Sequence, residues 1–433
     1  MPRLPGFPAD VTIRFDGEDV PARSGEPVAS ALLAAGRLLL SRSAKYHRPR
    51  GPFCLAGSCG GCLVRADGLP SRRACRIPCR GGLVVESQNA FPGVRHDLLG
   101  MIDLATPRGL DHHRLATWSA VANRAAVALS RRVAGLGRLP DGTRLDARAP
   151  GVDPPREERF DALVVGAGPA GLGAAEVLAE AGRRVLIAEQ DRSAGGRLRA
   201  GLGRTGEPDL EWARAAIDRV RAAGGEAALG AAVVGLWHDG GSPVALLVPE
   251  DLASAVRLIR APRIVLCTGG HPQPPAIGGG DRPGVLAARG LGTLLAEHGV
   301  VPGVRAAVIG TGAEPERVAE RLAAAGMGVE IVASLDGARI AGRGRVRALV
   351  RPGERLACDT VAVATPPAPA TDLGCALGAA VSFDARLGAF AIAAARDGAT
   401  GVPGLFAAGE VTGASDAVRA AEAGRRAGEA ARG

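Results

Sequence analysis

Apolar and polar positions follow three different rhythms along this chain, and each marks a different region. Near the N-terminus Val11-Thr-Ile-Arg-Phe15 alternates with period two, Asp16-Gly17 supplies a turn, and a second strand is expected near Val20–Arg23. From Glu26 to Leu40 the rhythm becomes helical, with Val28, Ala31, Leu32 and Ala35 on one face. Leu63-Val-Arg-Ala66 and the turn Asp67-Gly68 then predict another strand. Leu115–Val133 has the spacing of an amphipathic helix, and Asp141–Glu158, rich in Pro, Gly, Asp and Arg, reads as a linker. After residue 158 the strands become short continuous apolar runs alternating with helices, the pattern of a parallel sheet buried on both faces.

The first such run, Asp161-Ala-Leu-Val-Val165, enters Gly166-Ala-Gly168-Pro169-Ala170-Gly171. A helix follows with Ala170, Ala174, Val177, Leu178 and Ala181 on one face, and the strand Arg184-Val-Leu-Ile-Ala188 ends at Glu189. Strand, glycine turn, helix, strand and acid in this order form a dinucleotide-binding unit. Gly166 permits the turn, Gly168 lets backbone approach a pyrophosphate, and Gly171 lets helix and strand close up. The helix start offers free N–H groups to phosphates, and Glu189 is placed to accept from an adenosine ribose. A near-copy runs from Arg305–Ile309 through Gly310-Thr-Gly312 to Pro315, a helix reaching Ala325 and a strand Val329–Ala333. Its third glycine is a proline, and its ribose acid is shifted to Asp336 or missing, so it either takes a nicotinamide nucleotide or is kept for packing. Arg263–Gly270 and Gly404–Val411, the latter followed by a helix over Ala414–Ala431, bracket this copy as strands returning to the first sheet.

Four cysteines add the chemistry. Cys54, Cys59, Cys62 and Cys75 are spaced C-x4-C-x2-C-x12-C, with Gly57, Gly60 and Gly61 inside the loop. Three thiolates from one tight loop and a fourth from nearby are what a plant-type [2Fe–2S] cluster takes. Strand, helix, cysteine loop and strand are also the order of a β-grasp ferredoxin. A zinc site normally pairs two C-x2-C hooks and only one is present, while disulfides suit a secreted chain. Cys79 is left over, either a strand or turn residue or a substitute for Cys75. Tyr46, His47, Arg48 and Arg50 precede the loop and either contact phosphate or a partner or form an exposed basic loop. The adjacent His112 and His113 lack ligand spacing.

Composition changes this picture little. The 433 residues are 47% apolar and 22% charged, the balance of a globular chain of two or three domains. The net charge of +9 is almost wholly arginine, Lys45 being the only lysine, and the arginines are interleaved with acids. With aromatics at 3% there is no stacking platform, so nucleic acid is not an expected partner. No apolar run approaches the ~18 residues of a transmembrane segment. The N-terminus enters a strand at once, which gives an expectation of cytoplasmic location. The expected domains are 1–95 for the cluster, 96–157 as a helical connector and linker, 158–284 with 368–433 for FAD, and 285–367 as the inserted second nucleotide fold.

Gly166–Gly171, Glu189, Gly195-Gly196, Cys267-Thr268-Gly269 and Gly409-Glu410 together resemble the two-dinucleotide-binding flavoproteins of disulfide-reductase type. That resemblance implies FAD contacts at Gly166, Gly168, Pro169, Ala170, Gly171, Glu189, Gly196, Arg197, Thr268, Gly269, Gly409 and Glu410, with Gly310 and Gly312 serving the second nucleotide. Glu410 stands where the family has Asp. The segments Gly25–Leu33, Ser43–Gly51, Ala134–Arg138 and Arg282–Val285 resemble, more narrowly, the sarcosine oxidase alpha subunit, with alpha-type relatives in hydrogen cyanide synthase, opine oxidases and D-hydroxyproline dehydrogenases. The sarcosine oxidase subunit usually lacks the cluster cysteines and adds a folate-binding domain. Here the cysteines are present and the chain given ends at Gly433, so formaldehyde transfer to folate is not expected. The fold class is then α/β with an α+β N-terminal domain: a β-grasp [2Fe–2S] domain followed by a Rossmann-type flavoprotein fold. The resemblance implies an electron-transferring subunit of a flavin-dependent amine or imino-acid dehydrogenase. Its partner would be a D-amino-acid-oxidase-like flavoprotein beta subunit, and an external acceptor would receive the electrons. The first site holds FAD or, as the family also allows, NAD, with a working flavin such as FMN at the subunit interface. A stand-alone NAD(P)H-dependent FAD/[2Fe–2S] reductase is the alternative. No catalytic acid or base is identifiable in the chain.

Overall fold

The early turns close where Asp-Gly stands. Asp16 (φ 50°) and Gly17 (φ 84°) join the antiparallel strands Val11–Phe15 and Glu18–Ala22. Asp67 (φ 45°) and Gly68 (φ 77°) join Leu63–Ala66 to Leu69–Arg73 in the same way. Two central residues of positive φ make the turn that matches strand twist, which favours Asp-Gly. The structure is a computed structural model and describes residues 3–101, 103, 118–133, 154–203, 207, 209–250, 254–413 and 416–433. It falls into two compact units, Met1–Ala149 with Pro274–Thr365 and Pro150–Gln273 with Pro366–Gly433.

In the first unit five strands form one sheet, in the order Glu18–Ala22, Val11–Phe15, Val84–Glu86, Leu63–Ala66, Leu69–Arg73. Val11–Phe15 runs parallel to Val84–Glu86 and the other pairs are antiparallel, the mixed sheet of a β-grasp domain. Ile13, Phe15, Val64 and Val85 pack against Val28, Ala31 and Leu32 of a single helix. That helix spans Val28–Ala34, well short of the expected Glu26–Leu40. Gly36 at φ 73° lets the Arg37 N–H reach Leu32 O (2.8 Å) and the Gly36 N–H reach Leu33 O (2.9 Å), which ends the helix. Leu38 and Leu40 fit a helical period but leave as extended chain, Leu40 pairing with Arg50 O at 2.9 Å.

The same unit contains the second nucleotide fold. Its parallel sheet runs Val285–Ala287, Thr360–Val363, Arg305–Ile309, Gly328–Val332, flanked by helices Ala288–His298 and Ala313–Ala324. Chain segments far apart in sequence tie it to the β-grasp domain. Arg3 reaches Glu26 and His298 O, and the Leu4 N–H donates to Gly299 O at 2.7 Å.

The second unit is built on a five-stranded parallel sheet, Glu226–Leu229, Val185–Glu189, Ala162–Val165, Arg263–Leu266, Leu405–Ala407. Both expected bracketing strands therefore join the first nucleotide sheet. One apolar layer sets helices Pro169–Glu180, Leu210–Ala222 and Ala417–Ala431 against it. Glu176 is buried on the first helix and is held by Arg219 and Arg425 from the other two. A buried carboxylate needs such partners, since alone it would be costly to desolvate.

The other face carries a mixed four-stranded sheet whose edge strand, Arg156–Arg159, runs parallel to Arg257–Arg260 and contradicts the reading of Asp141–Glu158 as linker throughout. Arg-Glu-Glu-Arg has no apolar alternation. It becomes a strand because ion pairs cross to Arg257–Arg260: Glu158 takes Arg257 at 3.0 and 2.7 Å, and Glu157 takes Arg260 at 2.8 Å. Of the expected Leu115–Val133 helix, Ala120–Val133 is helical and Trp118 and Ser119 precede it as non-helical chain. His112, His113, the segment Ala134–Arg138 and the linker up to residue 153 lie outside the described residues. Among the described residues no helix is long and apolar enough to cross a membrane.

Candidate cluster and nucleotide sites

The four cysteines meet in the first unit. Their side chains adjoin one another, Cys54 beside Cys59 and Cys75, and Cys62 beside Cys75. Cys54, Cys62 and Cys75 are buried, and Cys59 is half-buried. Contacts with Cys59 and Cys75 hold the Cys54 thiol far below its ordinary value, and the same contacts push Cys59 and Cys75 upward. The Ala56 N–H also points at Cys54 Sγ, 3.4 Å away. Among the described residues no three His, Cys, Asp or Glu side chains are set around a single metal ion, so the fit rests on these sulfur contacts. Four adjoining thiols with a backbone donor to sulfur are a donor set suited to a [2Fe–2S] core.

The loop glycines differ in their reasons. A Cβ on Gly61 would stand 2.5 Å from Gly51 O, and one on Gly57, at φ 77°, would meet the Arg76 side chain at 2.9 Å. A Cβ on Gly60 would meet nothing, so that position does not require glycine for packing within the chain. Cys79 stands apart from the quartet. It is buried beside Glu26 and Arg3, its backbone pairs with Gly25 and Glu26, and burial pushes its thiol up to about 12.

The segment before the loop is basic and partly exposed, Lys45 and Arg48 facing solvent, and its arginines are ion-paired. Arg48 pairs with Asp103 and Arg50 with Asp281, while Tyr46 lies between Lys45 and Arg48. His47 is 1% exposed, and its Nδ1 is 2.9 Å from Asp97 Oδ2. Asp97 is 50 residues away, and nothing in the spacing marks the pair. Tyr46, His47, Arg48, Asp97, Asp103 and Asp281 line a 2140 Å³ cleft that also carries Arg282, Arg343, Arg345 and Arg347.

The first glycine turn, in the second unit, shows a separate constraint at each position. Gly166 has φ 101°, and a Cβ there would stand 2.3 Å from Cys267 O. A Cβ on Gly171 would stand 1.8 Å from Gly166 O, so helix and strand meet backbone to backbone. At Gly168 the nearest atom to a Cβ would be Gly196 Cα at 3.9 Å, leaving open the side where a pyrophosphate is expected. Gly168 caps the helix, with Pro169 in its first turn.

Glu189 is buried at the end of its strand. Its Oε2 accepts from the Ala167 N–H at 2.8 Å and its Oε1 from the Asp191 N–H at 2.9 Å. Burial, with Asp191 nearby, holds its carboxyl above the ordinary range, and these N–H groups oppose the shift. The remaining expected contacts converge here. Gly196 packs against Gly168, Gly409 against Ala170, and Gly269 beside Glu410. Arg197 Nη1 donates to Glu410 Oε1 at 2.7 Å, and Thr268 Oγ1 donates to Ala370 O at 2.8 Å. Cys267 serves packing beneath the turn, its thiol pushed up to about 12 by burial.

Gly310 and Gly312 form the corresponding turn of the first unit, with φ 143° and 88°. There Pro315 fills the place of the third glycine, its Cγ 2.8 Å from where a Gly310 Cβ would be. The helix opens with Glu314, held by Arg289 through two contacts of 2.9 Å. Ser334 Oγ bonds Asp336 at 2.8 Å within the following loop.

Known proteins match on both halves. Residues 9–90 match the 2Fe-2S iron-sulfur cluster binding domain family, and residues 164–202 the NAD(P)-binding Rossmann-like domain family. Sarcosine oxidase subunit alpha of Rhizobium meliloti is 32% identical over 381 residues, covering 81% of this chain and 36% of that subunit. The chain thus spans little more than a third of the length of that relative. Hydrogen cyanide synthase subunit HcnA of Pseudomonas aeruginosa is 42% identical over 81 residues, 19% of this chain and 77% of that one. L-proline dehydrogenase from P. horikoshii shares the fold, with TM-score 0.73 and 19% identity over 98% of this chain and 75% of that one. The fold, the thiol quartet and the three-glycine turn fit [2Fe–2S] and FAD as cofactors. The chain is thus a relative of the sarcosine oxidase alpha subunits, with an N-terminal 2Fe–2S domain followed by a Rossmann-type flavoprotein fold.

Proposed function

We propose that this chain is the electron-transferring alpha-type subunit of a flavin-dependent amine or imino-acid dehydrogenase or oxidase. Sarcosine, proline, hydroxyproline, glycine or an opine is the substrate class. The observation that carries the reading is the thiol quartet in a chain that also folds a complete dinucleotide turn. Flavin accepts electrons in pairs and releases them singly, while an iron–sulfur group carries one at a time. In this reading Cys54, Cys59, Cys62 and Cys75 hold the iron. The backbone at Gly166, Gly168, Pro169, Ala170 and Gly171 receives the pyrophosphate, and Glu189 accepts from the ribose. Gly196, Arg197, Thr268, Gly269, Gly409 and Glu410 line the rest of that site.

Substrate oxidation is assigned to a partner, a D-amino-acid-oxidase-like flavoprotein beta subunit. The two carboxylates of the first nucleotide site are already engaged: Glu189 accepts two backbone N–H groups and Glu410 pairs with Arg197. Neither is free to serve as a base over a substrate. An external acceptor takes the electrons. The alternative, a reductase fed by NAD(P)H at Gly310 and Gly312, is disfavoured because the Glu314–Arg289 ion pair already stands at the helix start where a nucleotide pyrophosphate would bind.

The test is the purified chain, given amines and NADH separately. Its flavin is expected to stay oxidised with both. Rapid bleaching by NADH would favour the reductase, and steady amine oxidation without a partner would overturn the relay assignment.

A further inference from the structure

We propose that the second nucleotide fold is closed to dinucleotides and instead serves as the seat of the cluster-binding loop. The inference rests on the reading of the four cysteines as iron ligands. Closure begins at the helix Ala313–Ala324. A pyrophosphate binds at a helix start through free N–H groups and the positive end of the dipole. Here the first turn carries Glu314 and Glu316, so that potential already faces carboxylates. Glu314 is held in place, because Arg289 Nε and Nη2 reach its two oxygens at 2.9 Å each, a bidentate charge-assisted pair with both side chains 22% exposed. Pro315, buried, puts its ring where the first fold has only the Gly171 backbone. Beyond the next strand, Asp336 is displaced into a turn, where it accepts from Ser334 Oγ at 2.8 Å.

The helix that supplies Arg289 has a second task. The Ala287 N–H, at its cap, donates to Phe53 O at 2.9 Å, one residue before Cys54. Gly290, in the first turn, faces the loop so closely that a Cβ there would stand 2.6 Å from Cys54 O and 3.2 Å from Leu55 Cβ. A contact with a carbonyl oxygen at 2.6 Å cannot be relieved by a side-chain rotation. Leu55 meanwhile holds φ 55°, a left-handed conformation that side-chain-bearing residues adopt only when their surroundings impose it. One helical turn thus shuts the phosphate end through Arg289 and supports the loop through Gly290. Gly290 is a positioning residue: it touches the backbone of Cys54, not the sulfur.

Two experiments on the full chain test the two halves. For closure, the Gly168→Val variant, whose first turn is blocked, is titrated with NADH and NADPH by calorimetry. No saturable heat is expected, and saturable binding of either would overturn closure. For the seat, iron content and the paramagnetic spectrum of the reduced protein are compared between wild type and Gly290→Ala. The variant is expected to lose most of its iron or to show a shifted spectrum. Unchanged iron with an unchanged spectrum would overturn the seat. Should Gly290→Ala not fold, hydrogen exchange of iron-loaded against iron-stripped wild type gives the same answer: the amides of residues 287–292 are expected to gain protection with iron, and no difference there would overturn it. Wild type without iron would instead strike at the cluster reading itself.

Discussion

Gly171→Ala is expected to lose the nucleotide and to destabilise the unit that carries the first glycine turn, whereas Gly168→Val is expected to lose the nucleotide alone. A Cβ at position 171 would stand 1.8 Å from Gly166 O, inside the closest contact between helix and strand. Relief needs the helix Pro169–Glu180 to move off its sheet, where it shares a core with Val164, Ile187 and Val265. Overpacking of this kind costs about 1–3 kcal/mol, and more where backbone must shift. At position 168 the backbone is extended, at φ −79° and ψ −176°, which valine accepts, and no protein atom lies closer than 3.9 Å to the new Cβ. The branched side chain therefore fills ligand space rather than core. Thermal melting and mass spectrometry of released ligand separate the two effects. FAD is expected from wild type, and NAD there would place the working flavin elsewhere. Equal melting temperatures for the two variants would contradict the distinction.

Cys59→Ser and Cys75→Ser are expected to abolish iron binding, and Cys79→Ser to leave it intact while lowering stability. Serine is a poor replacement for a thiolate ligand, so one loss within the adjoining quartet is enough. Cys79 is 1% exposed among Ile13, Leu83 and Val85, and a hydroxyl buried there without a partner costs about 1–3 kcal/mol. Two irons per chain and a rhombic signal on reduction are expected for wild type and Cys79→Ser. Loss of iron in Cys79→Ser but not in Cys75→Ser would reverse the assignment of the fourth ligand.

The parts of this molecule legible in the sequence are those where chemistry constrains local pattern. The glycine turn at Gly166–Gly171 could be read because close backbone approach leaves no alternative residue, and the cysteine spacing because a metal core fixes loop length. The helical period after Glu26 runs on through Leu38, past the point where Gly36, at positive φ, ends the helix. The strand Arg156–Arg159 was invisible because its pairing is ionic, with partners a hundred residues away. His47 with Asp97, Arg289 with Glu314, and Gly290 against Cys54 have no sequence signature at all. Each depends on segments that only the tertiary fold brings together.

The proposed relay is tested most directly by reconstituting this chain with the D-amino-acid-oxidase-like subunit proposed as its partner and a substrate amine. Two signals are followed together, bleaching of flavin and reduction of an artificial dye. The account predicts that Cys54→Ser, Cys59→Ser and Cys62→Ser each stop dye reduction while substrate-driven bleaching survives. Dye reduction at the wild-type rate in all three variants would contradict it.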